Sequence, residues 1–271
     1  MSLSKRIDKA RDAFSKRDKV AAAHIHHTSQ GAALEEHGGA GAQYVGDIIY
    51  GGLDGIITTF AIVSGVAGAQ LESGIILVLG LANLIADGFS MAAGAYLSLK
   101  SEQAYYDKEK ERELWEVENF PEGEKQEMHQ IYLQQGYTPE EAAQLVDIKS
   151  RDPERWVDAM MIDELGMTRD DRKPMLSGLT TFTSFIIAGS VPLLIYLVGL
   201  VVLVGLVVDV PSSFEISILL SALALFGLGT AKVRITLQNP FQSGFEMLVV
   251  GGLASGVAYA IGALLRNLIP A

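Results

Sequence analysis

The sequence predicts an all-α, polytopic membrane protein with five transmembrane helices and a helical cytoplasmic insert between helices two and three. Of its 271 residues, 49% are hydrophobic, and most of these lie in the stretches 46–98 and 176–265. The segment 99–175 instead holds 20 of the 32 acidic and 11 of the 21 basic residues, and it carries −9 of the net charge of −11. This separation indicates that one chain occupies two environments. We therefore divide it into a basic arm (1–45), two helices (46–98), an acidic insert (99–175) and three helices (176–271).

Five apolar stretches are long enough to cross a membrane, which requires roughly 20 residues. Four of them fit that length directly: about 46–68, 74–98, 215–233 and 243–265. The remaining stretch, about 176–208, is too long for one ideal span and too short for two. Because it contains Pro192, we predict a single tilted or kinked helix that extends beyond the bilayer. Five such stretches leave too little polar sequence to cover them in a water-soluble protein.

The distribution of Lys and Arg predicts the orientation. The arm 1–45 contains seven of these residues, whereas the loops at 70–73 and 209–215 contain none. Lys232 and Arg234 flank the loop between the fourth and fifth helices. Because Lys and Arg accumulate in cytoplasmic loops, we expect the N-terminus and the insert in the cytoplasm, and the C-terminus on the opposite side.

The arm allows two interpretations. Apolar residues recur in it at helical spacing with bases between them: Leu3, Ile7, Ala10 and Phe14. This pattern is typical of an amphipathic helix on an anionic lipid surface, and a disordered solubilising tail is the alternative. Three histidines cluster further along the arm: His24, His26 and His27. Since no second group of ligands lies near them in the sequence, we expect an unstructured segment rather than a metal site.

Prolines and glycines divide the insert into short helices. The second transmembrane helix continues into the insert and ends at Pro121, and Gly136 ends the next helix. The run Thr138-Pro139-Glu140-Glu141 matches a capping box with proline at the first helical position. Asp152-Pro153 repeats that start, and Gly166 closes the last helix. We therefore predict three or four helices and no strand.

Pairs of glutamates in the insert predict a cation site. Glu113 and Glu116, and then Glu124 and Glu127, are spaced three residues apart, so each pair lies on one helix face. The pairs lie on either side of Pro121, and an antiparallel hairpin would let them face each other. Four carboxylates brought together repel unless a cation bridges them, which favours a divalent ion. The alternative is a solvated helix face on which the glutamates pair with Lys and Arg.

The composition limits the chemistry of such a site. The chain has no cysteine, so metal ligands must be oxygen, imidazole or thioether donors. Met160 and Met161, with Glu164 one turn further on, are thioether and carboxylate candidates, although methionines at this spacing are more often core residues. The acidic net charge argues against nucleic acid as a partner.

Two aspartates lie inside the first two predicted transmembrane helices. An acid at membrane depth is costly, so it usually faces a cavity and serves transport. Asn83 and Met91 lie four residues before and after Asp87, on the same helix face, and together with Asp54 they predict a polar stripe. The alternative is a structural hydrogen bond between helices. For packing, Gly51/Gly55 and Gly252/Gly256 have the small-xxx-small spacing of closely packed bundles or homodimers.

These motifs together resemble the vacuolar iron transporter family. The resemblance depends on Asp54-Gly55 in an early span, on the run from Asp87 to Glu102, and on a Glu-rich insert that ends in the run from Trp156 to Gly166. The motifs occur in the same order as in the family, and the match covers about residues 43–265. Members are similar in having five spans, forming homodimers and exchanging Fe(II) or Mn(II) for protons.

The resemblance also implies roles for individual residues. It implies that Asp54 and Met91 lie on the translocation path. Where plant-type members carry an intramembrane glutamate, this chain has Asn83, and Asp87 one turn away is the residue that could supply the charge. The resemblance implies that seven residues of the insert bind metal: Glu113, Glu116, Glu124, Glu127, Met160, Met161 and Glu164.

The leading hypothesis from the sequence is a transporter, not an enzyme, that moves Fe(II) and Mn(II) out of the cytoplasm in exchange for protons. The ion is cargo, and no prosthetic group is expected. A membrane-anchored di-iron ferroxidase is one alternative, although such sites typically use Glu-x-x-His pairs and the insert has none. A metal sensor that binds ions without transporting them is the other.

Overall fold

The computed structural model describes residues 12–14, 16–27, 42–202, 212–236, 239–266 and 268. Throughout these residues the chain forms helices and turns without a strand. Five helical segments are long and apolar enough to cross a membrane. The predicted all-α fold class with five transmembrane helices is therefore confirmed. The chain divides into two compact units, which we call the membrane unit (Met1–Ala93 with Leu176–Ala271) and the insert unit (Gly94–Met175).

Besides the helical residues 12–14, the described residues form ten α-helices. In chain order they are α1 Lys19–His27, α2 Val45–Gly68, α3 Ser73–Asn119, α4 Pro121–Gln134, α5 Pro139–Lys149, α6 Pro153–Asp163, α7 Pro174–Gly189, α8 Leu194–Val202, α9 Ser213–Thr236 and α10 Pro240–Arg266. A 3₁₀ turn precedes α2 at Ala42–Tyr44, and another, Val191–Leu193, separates α7 from α8. The second turn contains Pro192, which interrupts the third transmembrane segment because proline cannot donate the helical hydrogen bond.

Glycines let α2 pack closely against two other helices of the membrane unit. A Cβ atom added at Gly51 would lie 2.5 Å from the backbone oxygen of Thr181, and one at Gly55 would lie 2.5 Å from that of Phe185. These contacts join α2 to α7. At the other end of α2, a Cβ at Gly68 would lie 2.3 Å from the oxygen of Tyr259 in α10. Small residues thus permit the backbone approach that stabilises helices in lipid.

The two predicted glycine pairs differ in what they contact. Gly51 and Gly55 meet α7, as small-xxx-small spacing suggests, but Gly252 and Gly256 have no described atom within 4 Å of an added Cβ. In α10 the close approach to α2 is made instead by Gly262, where a Cβ would lie 2.0 Å from the oxygen of Gly65. Gly262 and Gly65 belong to no pair singled out in the sequence.

We expect Gly262→Ala to destabilise the membrane unit. The added methyl group must push α2 and α10 apart, and overpacking of this kind typically costs about 1–3 kcal/mol. Thermal unfolding of the purified protein in detergent measures the effect. Gly227→Ala is the control, because it adds the same methyl group to another transmembrane helix, α9, in open space. Equal unfolding temperatures for the two variants would contradict the close α2–α10 contact.

Apolar side chains fill the spaces between the transmembrane helices. One cluster combines Phe60 and Val63 of α2, Leu77 of α3, and Leu193 and Tyr196 around the proline turn. A smaller cluster joins Ile56 of α2 to α9 and α10 through Leu225 and Met247. Other large apolar side chains remain exposed, among them Val78, Ile85 and Phe89 of α3. Exposed apolar side chains on helices of this length are what a lipid environment requires.

The insert unit contains the polar part of α3 and the helices α4, α5 and α6. Thr138 forms the capping box with Glu141 at the start of α5, and the Asp152 side chain accepts hydrogen bonds from backbone N–H groups of α6. Gly136 and Gly166 both have positive φ angles, of 99° and 63°, which glycine adopts without strain. The helices enclose a core that includes Met128, Tyr132, Ala142, Trp156 and Val157.

Part of the arm departs from the expectation. The segment around the histidines is not unstructured: α1 covers Lys19–His27, and His24 lies exposed on it. The side chains of His26 and His27 lie outside the described residues, as do Leu3, Ile7 and Ala10 of the predicted amphipathic helix. The helical spacing of Val20, Ala21 and His24 could have indicated α1.

Candidate metal centre

Three glutamates from three helices meet in the insert unit. Glu113 lies in the polar part of α3, beyond its apolar stretch, Glu124 lies in the first turn of α4, and Glu164 caps the C-terminus of α6. One carboxylate oxygen from each lies within 4.8 Å of the others. The break between α3 and α4 at Phe120 separates Glu113 from Glu124 along the chain. The exposed fractions of Glu113 and Glu124 are only 1% and 7%. We call these three residues the glutamate cluster.

The buried carboxylate oxygens of the glutamate cluster lack hydrogen-bond partners. Three of these oxygen atoms form no hydrogen bond within the described part of the chain: Oε1 and Oε2 of Glu113, and Oε2 of Glu124. Oε1 of Glu113 lies 2.6 Å from Nη2 of Arg112, an ion pair without hydrogen-bond geometry. Leaving a buried charged group unsatisfied is costly. A divalent ion bound by carboxylate oxygens would satisfy these atoms, so the cluster fits a metal ion.

The environment shifts the acidity of the glutamate cluster. Burial raises the pKa of Glu113 and of Glu124 to about 7. Repulsion from neighbouring carboxylates adds to this effect, and the Arg112 guanidinium opposes it. Glu164 is exposed overall, but partial burial of its carboxyl group also raises its pKa. Near neutral pH Glu113 and Glu124 therefore exchange protons readily, as a site that binds and releases a cation requires.

We expect binding of a divalent metal ion at the glutamate cluster to strengthen steeply between about pH 6 and about pH 8. A metal must displace the protons on Glu113 and Glu124, whose pKa is about 7, so binding releases protons below that pH. Anaerobic calorimetry in buffers of different ionisation enthalpy measures both the affinity and the number of protons released. An affinity that is constant over this range would contradict the assignment.

Protonation of Glu113 and Glu124 weakens metal binding but stabilises the folded, metal-free protein. The pKa values are raised from an ordinary value of 4.5, so folding takes up protons. This stabilising contribution is complete below about pH 4.5 and is lost as the pH rises through about 7. Bound metal replaces the lost protons, and its stabilising effect should therefore be largest above neutral pH.

The other two predicted glutamates lie beside the cluster. Glu116 is half-buried and forms an ion pair with Arg112. Glu127 is exposed and lies within electrostatic range of Glu124 and Glu164. The two predicted pairs thus lie in one region, with Glu113 and Glu124 at its buried centre. Sequence reasoning missed Arg112, although a base between Glu109 and Glu116 at helical spacing is a readable signal.

Met160 and Met161 are completely buried in the core of the insert unit. They pack with apolar residues from α4 and α5, including Met128 and Val146. This packing agrees with the alternative that both are core residues. Because they precede Glu164 by about one helical turn, a thioether ligand from either methionine stays a prediction.

A hydrogen-bonded network supports the end of α6 next to Glu164. The Asp163 Oδ2 atom accepts hydrogen bonds from the Tyr132 hydroxyl group of α4 (3.1 Å) and from the Lys149 ammonium group of α5 (3.0 Å). One carboxylate oxygen therefore links three helices. Because α4 also carries Glu124, this network fixes two members of the glutamate cluster relative to each other. The sequence offered no spacing signal for it.

The four polar-stripe residues of the membrane unit lie on α2 and α3. Asp54, Asn83, Asp87 and Met91 are all partly buried. The carboxylates of Asp54 and Asp87 lie within electrostatic range of each other. The Nδ2 atom of Asn83 is buried and, among the described residues, has no hydrogen-bond partner. Polar groups without partners at membrane depth are typical of a path along which a hydrated or liganded ion passes.

Comparisons with known proteins agree with this arrangement. The model of the VIT family matches residues 45–263. A "vacuolar iron transporter" of Toxoplasma gondii is 40% identical over 98% of this chain and 90% of its own length. The "vacuolar iron transporter" of Plasmodium falciparum is 35% identical over 98% of both chains. The "vacuolar iron transporter 1" of Arabidopsis thaliana is 34% identical over 89% of this chain and 91% of its own length.

Proposed function

Since this chain belongs to the VIT family, and is therefore an integral, multi-pass membrane protein that transports metal ions, we propose that it carries Fe(II) out of the cytoplasm in exchange for protons. Mn(II) is a second proposed cargo, because carboxylate ligands accept both ions. The observation that carries the proposal is the glutamate cluster, with its buried carboxylate oxygens left without hydrogen bonds. Because the relatives are transporters, a ferroxidase activity is not proposed.

The proposed direction follows from the positions of the basic residues. Lys and Arg are concentrated in the arm and beside the loop between α9 and α10, which indicates that these segments and the insert unit lie in the cytoplasm. The glutamate cluster would then collect ions from the cytoplasm. Ions released from it pass to the membrane unit, where Asp54, Asp87 and Met91 are the proposed path residues.

Competition between a proton and a metal ion for the same carboxylates gives exchange. A carboxylate that must lose its proton to bind Fe(II) releases the ion when it is protonated again. Asp54 and Asp87, on adjacent helices of the membrane unit, are the proposed site of this competition. Asp87 is proposed to supply the charge that Asn83 cannot carry.

We also propose that two copies of the chain associate in the lipid bilayer. Gly252 and Gly256 lie exposed on α10 with exposed Leu253 and Val257 beside them. Small residues on a lipid-facing surface favour helix–helix association. Cross-linking in native membranes tests the association, and an exclusively monomeric protein would contradict it.

A flux assay in proteoliposomes tests the proposed function. Anaerobic Fe(II) is added outside vesicles that contain a metal indicator, with the interior either acidic or at the external pH. We expect Fe(II) uptake that is faster with the acidic interior, and the same for Mn(II). Equal uptake under both conditions would contradict proton exchange but not transport. Metal binding without any uptake would favour a sensor.

A further inference from the structure

We propose that Arg112 competes with the transported metal ion for the carboxylates of the glutamate cluster. This competition lowers the affinity of the cluster for the ion and so allows the ion to leave. This inference rests on the proposed function of the cluster as a binding site for the cargo. It concerns a residue that is not itself a ligand. Its role would be to set how tightly the ligands hold the ion.

The Arg112 guanidinium group contacts three carboxylates at once. Its Nε atom lies 2.9 Å from Oε2 of Glu109, its Nη2 atom lies 2.6 Å from Oε1 of Glu113, and its Nη1 atom pairs with Glu116. Glu109 and Glu116 are the ordinary helical neighbours of Arg112 on α3. Glu113 is the next residue in the chain, and adjacent residues do not face each other on a helix. The guanidinium group is therefore turned toward the glutamate cluster.

Arg112 acts on every member of the glutamate cluster. It contacts Glu113 directly, and one carboxylate oxygen of Glu113, Glu124 and Glu164 each lies within 4.8 Å of the others, so its charge lies close to all three. Five neighbouring carboxylates repel one another in this region: Glu113, Glu116, Glu124, Glu127 and Glu164. The positive charge of Arg112 reduces that repulsion. Without it, the stronger repulsion would favour the binding of a divalent ion more.

The contact with Glu113 places Arg112 in competition with the ion. Carboxylate oxygens bind a divalent transition metal such as Zn²⁺ at about 2.0–2.2 Å, so such an ion on Oε1 of Glu113 would lie close to the guanidinium group and be repelled by it. Glu113 is almost fully buried, whereas the Arg112 side chain is 41% exposed. Arg112 is therefore the partner that can move into solvent when an ion enters and return when it leaves.

Binding of Fe(II) to the full-length protein in detergent tests the inference. Anaerobic calorimetry at about pH 8, where the carboxylates are ionised, compares wild type with Arg112→Gln and Arg112→Lys. We expect Arg112→Gln to bind about 5- to 150-fold more tightly, the range typical of coupled sites. Arg112→Lys should fall between the two, because an ammonium group keeps the charge but lacks the planar fork that binds several carboxylates. A merely structural arginine would give weaker binding instead.

Lys110→Gln is the matched control. It removes the same charge from the same helix, but Lys110 pairs with Asp158, outside the predicted ligands. The affinity of the Lys110→Gln variant for Fe(II) should remain close to that of wild type. Equal or weaker binding by Arg112→Gln, or equal tightening by Lys110→Gln, would overturn the inference. If Arg112→Gln does not fold, Arg112→Lys decides, and an affinity at or below wild type overturns it.

The failure of this inference is distinguishable from that of the proposed function. If wild type binds Fe(II) and Arg112→Gln does not tighten the binding, only the role of Arg112 is wrong. If wild type does not bind Fe(II) at all, the proposed function and this inference both fail. In proteoliposomes, Arg112→Gln should lower both the half-saturating Fe(II) concentration and the maximal uptake rate, because a tighter site releases its ion more slowly.

Discussion

Asp54→Asn is expected to reduce Fe(II) uptake by proteoliposomes to the rate of protein-free vesicles. The substitution preserves the volume of the side chain but removes the negative charge that would bind a metal ion or a proton at membrane depth in α2. Asn83 on α3 is already neutral, so the loss of Asp54 would leave Asp87 as the acid remaining among the four polar-stripe residues. A single carboxylate provides too few charged ligands to replace the hydration of a divalent ion.

Two comparisons make this prediction specific. Glu246→Gln removes an acid from an exposed position near the start of α10, and uptake should remain near that of wild type. Calorimetry on Asp54→Asn should show unchanged Fe(II) binding at the glutamate cluster, because the substitution lies in the other unit. Substantial uptake by Asp54→Asn would remove this residue from the path, and loss of binding in the insert unit would indicate general misfolding.

The fold was largely predictable because apolar length and helix-capping residues are local signals. Pro121, Thr138 and Asp152 each begin or precede a helix as their chemistry requires. The end of α6 was less well predicted: the helix stops at Asp163, although Gly166 suggested a later end. The side-chain hydrogen bonds of Asp163 to α4 and α5 lie at this point. Such long-range contacts leave no periodicity in the sequence.

The site was predictable in composition but not in detail. Spacing identified Glu113 and Glu124, yet spacing does not reveal that they are buried while Glu127 is exposed. Burial depends on the packing of α4 and α6 against α3, which is a tertiary property. The same limit applies to Met160 and Met161, because spacing does not reveal that their side chains are buried in the core of the insert unit. Arg112 matters because of where its guanidinium group points, and that follows from the fold.

Replacing Glu113 and Glu124 together by glutamine is expected to abolish Fe(II) binding by the insert unit while making the metal-free protein more stable. Changing partners that only support metal ligands typically costs about 10- to 100-fold in affinity, and the loss of two direct ligands should exceed that. Stability should rise above neutral pH, because glutamine removes two buried charges that lack hydrogen bonds without changing the side-chain volume. Calorimetry and thermal unfolding at about pH 8 measure the two effects.

The opposite signs of these two effects distinguish a functional site from a structural one. If the two glutamates stabilised the fold, the protein would become less stable when they are replaced. If they serve binding at a cost in stability, the protein becomes more stable. Glu118→Gln is the control, since this exposed residue of α3 lies outside the glutamate cluster and should change neither quantity. If the double variant bound Fe(II) like wild type, the cargo would have to bind elsewhere. If it bound no metal and also unfolded at a lower temperature, the two glutamates would stabilise the fold. The cost of burying their charges would then be offset by contacts within the protein rather than by an ion.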